Sequence, residues 1–408
     1  GVKKKIFIVT YGGGHVSIMI PIIRELMKDR NIELSILGLS IASEALRNEG
    51  IAHNTILTYK DLIMDENAWR FGKALAKKMH VEGKGISLEE TTVYFGSSMR
   101  DMVEEKGEEE AFRTFRMDGK ACFIPTRTMG SILDKEKPDL LITGNSPRME
   151  RAAMTAAHMK GIKVLSLNDL LGFDRKYIFP ADKIAVISEM TRENLIGQGN
   201  PPENIVVTGS PVFDLIIDEK RTFNREEILK ELALPPDARL FLLATQPQKE
   251  STWEMIDMMA ALVKNYPEHY LVVKPHPGDD NRLYMDYLSK INDPRVVLAG
   301  MPVRKIIFVA DLTVTIYSTV GLESMLMGVP LIQLNLMGIP NPIPLYRYGV
   351  CFEAKGYDEL ETRVNEVLNN KQTKESIARN INHYFKGIIS GGGLHNCLHL
   401  VYEMLESV

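Results

Sequence analysis

Ile6-Phe7-Ile8-Val9-Thr10-Tyr11-Gly12-Gly13-Gly14-His15 is a short β-branched run that breaks into three glycines and then into a helical pattern through Ile18, Ile22, Ile23 and Leu26. Strand, glycine turn and helix in that order open a doubly wound α/β domain, because glycines let the backbone turn sharply and approach a ligand closely. Pro21 is expected within the helix's first turns, where a missing N–H costs little. Three consecutive glycines do not satisfy the spacing of the dinucleotide fingerprint, so a nicotinamide or flavin enzyme is disfavoured.

Outward from this opening, 33–38 reads as a second strand, 42–48 as a helix and 54–57 as a third strand. From about 60 to 137 the alternation stops, and a Met-, Phe- and charge-rich stretch reads as a helical insertion that shapes a substrate mouth or a partner surface. Its lysines 73, 77, 78 and 84 read as a solvated face. The pattern resumes at Pro138 with strands over 139–144, 162–167, 183–188 and 204–209. Ser146 and Pro147 are expected to cap and open the helix after the first of these. Proline-rich 211–236 is the linker candidate.

A second α/β half follows. Strands over 239–245, 270–274, 295–299, 310–316 and 331–334 end at polar or glycine turns, and Gly338 to Pro344 forms a proline-stiffened loop. The expected bounds are 1–210 and 237–380 for the two Rossmann-like domains, with helices of 381–408 returning to the first. The fold class is therefore α/β, with two facing Rossmann-like domains and a ligand between them.

Bulk properties agree with this reading and exclude others. A chain of 408 residues supports two full cores, and 45% hydrophobic with 25% charged residues is a globular composition. A net charge of -4 leaves no electrostatic footprint for nucleic acid. Three dispersed cysteines argue against a disulfide framework or a zinc site, and suit a reducing, cytoplasmic setting. The apolar run after Lys3-Lys4-Lys5 is too short for a signal peptide, and no window approaches a membrane span. No P-loop occurs, which disfavours nucleotide hydrolysis.

Four turns of the second half carry candidate chemistry. They are Gln246, Lys274-Pro275-His276-Pro277, Gly300-Met301, and the stretch Ile316-Tyr317-Ser318-Thr319-Val320-Gly321-Leu322-Glu323. Ser318 or Thr319 caps a helix whose N-terminus presents free N–H groups to an anion, with Glu323 close by for sugar hydroxyls. Prolines on both sides of His276 hold its imidazole at a defined angle.

Taken in order, the Gly13-Gly14-His15 turn, the run Ile187 to Pro211, Lys-Pro-His-Pro, and Glu323 with Gly328 and Pro330 resemble two-domain, GT-B type nucleotide-sugar glycosyltransferases. The resemblance spans most of the chain. It implies that Ser318 and Thr319 meet the donor phosphates, Glu323 the ribose, backbone near Gly300 and Met301 the base, and Lys274 with His276 the phosphate or sugar. Gln246 and Pro277 would complete the donor side, and Gly13 and Gly14 would approach the ligand from the first domain. The His-Pro and Ser-Thr pairs lean toward a CMP-sugar or CDP-polyol donor, with a UDP-sugar as the other choice. Such enzymes need no cofactor or bound metal. The acceptor, a glycan or a lipid-linked molecule, would lie on the first domain, where His15 and Asp169 are the alternatives for the base of an inverting transfer. Peripheral contact with the inner face of the cell membrane and a homodimer are left open.

Two other readings stand beside this one. UDP-N-acetylglucosamine 2-epimerases resemble the run from Pro138 to Pro211, but the first turn lacks their Thr-Arg-Pro-Glu. Thr143-Gly144-Asn145-Ser146 also lacks a carboxylate where they are expected to carry one, and Ser318-Thr319 stand where Ser-Gly-Gly is expected. The third reading is a non-catalytic sugar-nucleotide-binding subunit whose helical insertion recruits a partner.

Overall fold

The computed structural model describes residues 2–247 and 249–408, and the chain divides into two compact units, Gly1–Phe213 with Gly391–Val408, and Asp214–Ser390. The first unit is built on six strands: β1 Lys4–Thr10, β2 Ile32–Gly38, β3 Leu140–Thr143, β4 Lys163–Asn168, β5 Lys183–Val186 and β6 Ile205–Val207. They lie in the order β2-β1-β3-β4-β5-β6, all parallel. Alternate side chains of β1 feed two separate cores, as the two-residue strand period requires. Phe7 and Val9 face helices Met149–Met159 and Thr126–Glu136 through Ala152, Ala153, Met129 and Ile132. Ile6 and Ile8 face helices Gly14–Leu26 and Gly393–Glu406 through Met19, Ile22, Leu400 and Val401. Both faces of the sheet are thus covered, which is why its strands read as continuous apolar runs.

The insertion carries a small core of its own, centred on Phe71, Phe95, Met99 and Phe123. Helices Glu66–Met79 and Leu88–Lys106 approach so closely that a Cβ on Gly72 would lie 2.2 Å from the Thr92 carbonyl, and one on Gly96 2.2 Å from that of Ala68. Lysines 73, 77, 78 and 84 are exposed.

The second unit repeats the plan with β7 Arg239–Ala244, β8 His269–Lys274, β9 Val296–Leu298, β10 Leu312–Thr315, β11 Leu331–Leu334 and β12 Phe352–Ala354. The order is β12-β11-β10-β7-β8-β9, again wholly parallel. Phe241 and Leu243 enter one core, Leu240 and Leu242 the other. A parallel sheet puts every strand's C-terminus on one edge, so each unit gathers its polar turns there.

Three local expectations are corrected. Only a single bridge, Leu37 to Asn54, stands where a third strand was expected, and a 3-10 turn Ile56–Tyr59 follows because the Thr55 hydroxyl caps it. The helix after β3 starts at Met149, with Arg148 at its N-cap, so Ser146 caps nothing and is buried. Pro21 lies in the interior of Gly14–Leu26 rather than its first turns. The linker candidate 211–236 includes the division at Phe213 and Asp214 and carries helices Pro211–Lys220 and Arg225–Glu231, its prolines falling at helix starts or beyond helix ends. No helix among the described residues is long and apolar enough to cross a membrane.

Candidate functional site

In the first unit the three glycines do what larger residues would prevent. Gly13 adopts φ 74° at the N-cap of Gly14–Leu26, a left-handed conformation that favours glycine. A Cβ on Gly14 would lie 2.7 Å from Asp169 Oδ2. That approach brings His15, at the start of the helix after β1, onto Asp169, the residue following β4. His15 Nδ1 and Asp169 Oδ1 are 3.3 Å apart, with the side chains 19% and 14% exposed. Burial raises the Asp169 carboxyl above the usual range, and the His15 imidazole offsets part of the shift. The two candidates for a catalytic base, alternatives in the sequence, are neighbours in space.

β3 lies between β1 and β4, and at its end the structure supplies a carboxylate that the sequence did not reveal. Glu150 is fully buried, and the Tyr11 N–H donates to its Oε1 at 2.8 Å. A Cβ on Gly144 would sit 2.4 Å from Glu150 Oε2. Burial pushes Glu150 up to about 7 from 4.5. His15 and the Ser146 hydroxyl pull it down, and Asp169 pushes it further up. The missed signal is the helix Met149-Glu150-Arg151-Ala152-Ala153-Met154, in which Glu150 shares a face with buried Ala153 and Met154.

In the second unit the predicted residues come from the adjacent strand ends of β10, β7, β8 and β9. Ser318 caps Thr319–Leu326 through its side chain, which accepts from the Val320 N–H at 3.1 Å. Gln246, just past β7, donates its Nε2 to the Tyr317 carbonyl and so ties β7 to the capped turn. Lys274 ends β8 and donates to the Gly300 carbonyl at 3.4 Å, and partial burial lowers its pKa. The Gly278 N–H donates to His276 Nδ1 at 3.1 Å, which in the neutral ring leaves the proton on Nε2 as a donor. The His276 N–H itself donates to Thr245 Oγ1 at 3.2 Å. Pro277 is exposed.

Two of the predicted residues, Met301 and Glu323, are buried. The Met301 side chain packs in the core with Ile306 and Ile307, which leaves only backbone for a ligand there. Glu323 is 9% exposed, and its Oε1 accepts from Arg304 Nε at 3.4 Å. Arg304 also donates to Glu219 Oε2 at 2.7 Å. Burial raises Glu323 while Arg304 lowers it. Arg304 escaped notice because it sits beside Lys305 in the short helix Val303–Val309, where the sequence does not tell a surface cation from one that meets Glu323.

No family model matches the chain. No curated protein matches by sequence. Solved structures do match. A UDP-GlcNAc 2-epimerase from Neisseria meningitidis, bound to UDP-GlcNAc, superposes with TM-score 0.60 at 15% identity over 99% of this chain and 100% of that one. The UDP-GlcNAc 2-epimerase of Methanocaldococcus jannaschii gives 0.58 at 16% identity over 98% and 99%. A glycosyltransferase from Rickettsia africae gives 0.55 at 13% identity over 99% and 98%. At such identities the likeness is one of fold, and it is complete from end to end: this chain has the GT-B architecture of two Rossmann-like units, with a helical insertion in the first.

Proposed function

We propose that the chain is a glycosyltransferase that moves a sugar from a nucleotide-activated donor to an acceptor hydroxyl. The observation that carries this reading is the His15–Asp169 pair on the glycine turn. Asp169 Oδ1 lies 3.3 Å from Nδ1; with the Nδ1 proton turned to this carboxylate, Nε2 would take the acceptor's proton and the carboxylate would stabilise the imidazolium. As the acceptor oxygen attacks the anomeric carbon, the bond to the nucleotide phosphate breaks and the phosphate leaves with the electron pair. Its charge would meet the Ser318-capped helix N-terminus, the Lys274 ammonium and the His276 Nε2–H. Glu323, oriented by Arg304, would take the ribose hydroxyls. The donor thus belongs to the second unit and the acceptor to the first.

A second reading, epimerisation at C2 of a UDP-linked N-acetylhexosamine, is favoured by one observation. A carboxylate absent from the end of β3 in the sequence would be supplied by Glu150, buried near that end with its backbone contact to Tyr11, its carboxyl pushed up to about 7 by burial. The test is to incubate the full chain with UDP-, CMP-, GDP- and dTDP-sugars, following unfolding temperature and then products by NMR. A bound donor with slow release of nucleotide, accelerated by an acceptor, supports transfer. Interconversion of UDP-N-acetylglucosamine with its 2-epimer, without an acceptor, would replace transfer by epimerisation. No binding of any nucleotide sugar would remove both.

A further inference from the structure

A chamber of about 280 Å³ lies between the helical insertion and the C-terminal ends of β1 and β2 in the first unit. Leu39, Ile41 and Ile56 form its sheet side, and Met79, Ile86 and Phe95 its insertion side. An apolar cavity of roughly 150 Å³ holds one benzene ring, so this chamber accommodates an apolar body about twice that size.

Two polar atoms of its lining residues are buried without a partner. The Tyr94 hydroxyl is buried without a hydrogen-bond partner. Arg148 lies with its guanidinium carbon 5.2 Å from the centre of the Tyr11 ring and 5.9 Å from that of Tyr94, and donates Nη2 to the Tyr11 hydroxyl at 2.9 Å. Its Nε, however, is buried and unpaired. Orphaned donors in an apolar chamber cost free energy until an acceptor atom arrives. Lys84 and Lys120 are exposed at the rim. Glu90 is the carboxylate in the lining, and its Oε1 already accepts from the Ser87 N–H at 3.4 Å. His80, also in the lining, pairs with Thr91 at 2.8 Å and lies 3.3 Å from Glu82. The balance is apolar walls, unfilled donors and a cationic mouth.

We propose that this chamber is the acceptor site and that it selects an anionic amphiphile: an aliphatic or aromatic body against the insertion, ended by one phosphate or carboxylate held by Arg148 and Tyr94. The word acceptor rests on the transferase reading, while the binding chemistry does not. The chamber and the His15 pair share one turn, since Tyr11 lines the chamber and its N–H holds Glu150.

Octyl phosphate and octanoate, titrated calorimetrically into the full chain without nucleotide, test the proposal against octanol and inorganic phosphate. At least one of the two anionic amphiphiles should bind at least about ten-fold more tightly than either control, as expected for hydrogen bonds to a charged group. Arg148→Met and Tyr94→Phe should each remove that advantage and leave octanol binding unchanged. Tyr94→Phe deletes a single oxygen and keeps the test open if Arg148→Met does not fold. Equal binding of octanol and the anionic amphiphiles, or wild-type affinity in Tyr94→Phe, would overturn the proposal. Binding as expected with no transfer from any nucleotide sugar would sink the transferase reading alone. Transfer to an uncharged acceptor, unimpaired in Tyr94→Phe, would sink the chamber's role alone.

Discussion

His15, Asp169 and Glu150 form one electrostatic unit under three strand ends, and substitutions there separate chemistry from stability. His15→Ala should lower turnover by about 10² to 10⁴, the usual contribution of a positioned base, with donor affinity measured by calorimetry unchanged. Glu150 predicts a pH signature. Its folded value, about 7, lies above the ordinary 4.5, so the native state holds a proton that the unfolded state has lost between these two values. The stability this lends is fully present below about pH 4.5 and is lost as pH rises through about 7. The loss is on the order of 3 kcal/mol, and Glu150→Gln should abolish this part of the pH dependence in urea unfolding. Parallel curves for the two proteins would show that Glu150 titrates normally.

Glycines decide how the helices meet, and that is where small substitutions should act beyond their size. Gly96→Ala places a methyl 2.2 Å from a backbone carbonyl that cannot rotate away, so helices Glu66–Met79 and Leu88–Lys106 must separate. We expect a loss of about 1 to 3 kcal/mol, with faster hydrogen exchange confined to the insertion. The Ser318 cap is a weaker lever. Ser318→Ala should cost about 1 kcal/mol of stability, read from urea unfolding, and weaken nucleotide binding along with it.

The path of the chain through its two units yields a prediction about truncation. Helix Gly393–Glu406 belongs to the first unit although it follows the second in sequence, and it buries Cys397, Leu400, Val401, Met404 and Leu405. A Cβ on Gly393 would lie 2.5 Å from the Ser210 backbone, and Asn396 donates to the Thr208 carbonyl at 3.0 Å, which docks the helix beside β6. Each buried aliphatic side chain is worth roughly 1.5 to 3 kcal/mol, so deleting 391–408 removes an amount comparable with a domain's whole stability. Hydrogen exchange of the shortened chain should show the first unit unprotected and the second, Asp214–Ser390, still protected. Uniform protection would contradict the assignment.

The α/β class, eleven of the twelve strands among the described residues and the second unit's polar turns were legible in the sequence because they rest on local rules: a period of two, a glycine turn, a period of 3.6, a hydroxyl cap; the three-residue strand Phe352–Ala354 was not read. Ile6 to His15 needed nothing beyond its neighbours to be read, and neither did Ser318. What the sequence could not place were groups whose role depends on residues far away in the chain. Glu150 carries no local signal of a site, and becomes part of one only where β1, β3 and β4 lie side by side and it is buried, 135 residues after His15. Arg304, next to Lys305 in the sequence, gains its role only where it meets Glu323 and Glu219, and 54–57 reads as a strand until Thr55 caps a turn there. The anion-friendly turns follow from short-range geometry. The pairing of His15 with Asp169, the burial of Glu150 and the chamber lined by Tyr94 and Arg148 follow from long-range packing, which fixes the dielectric surroundings and therefore the chemistry.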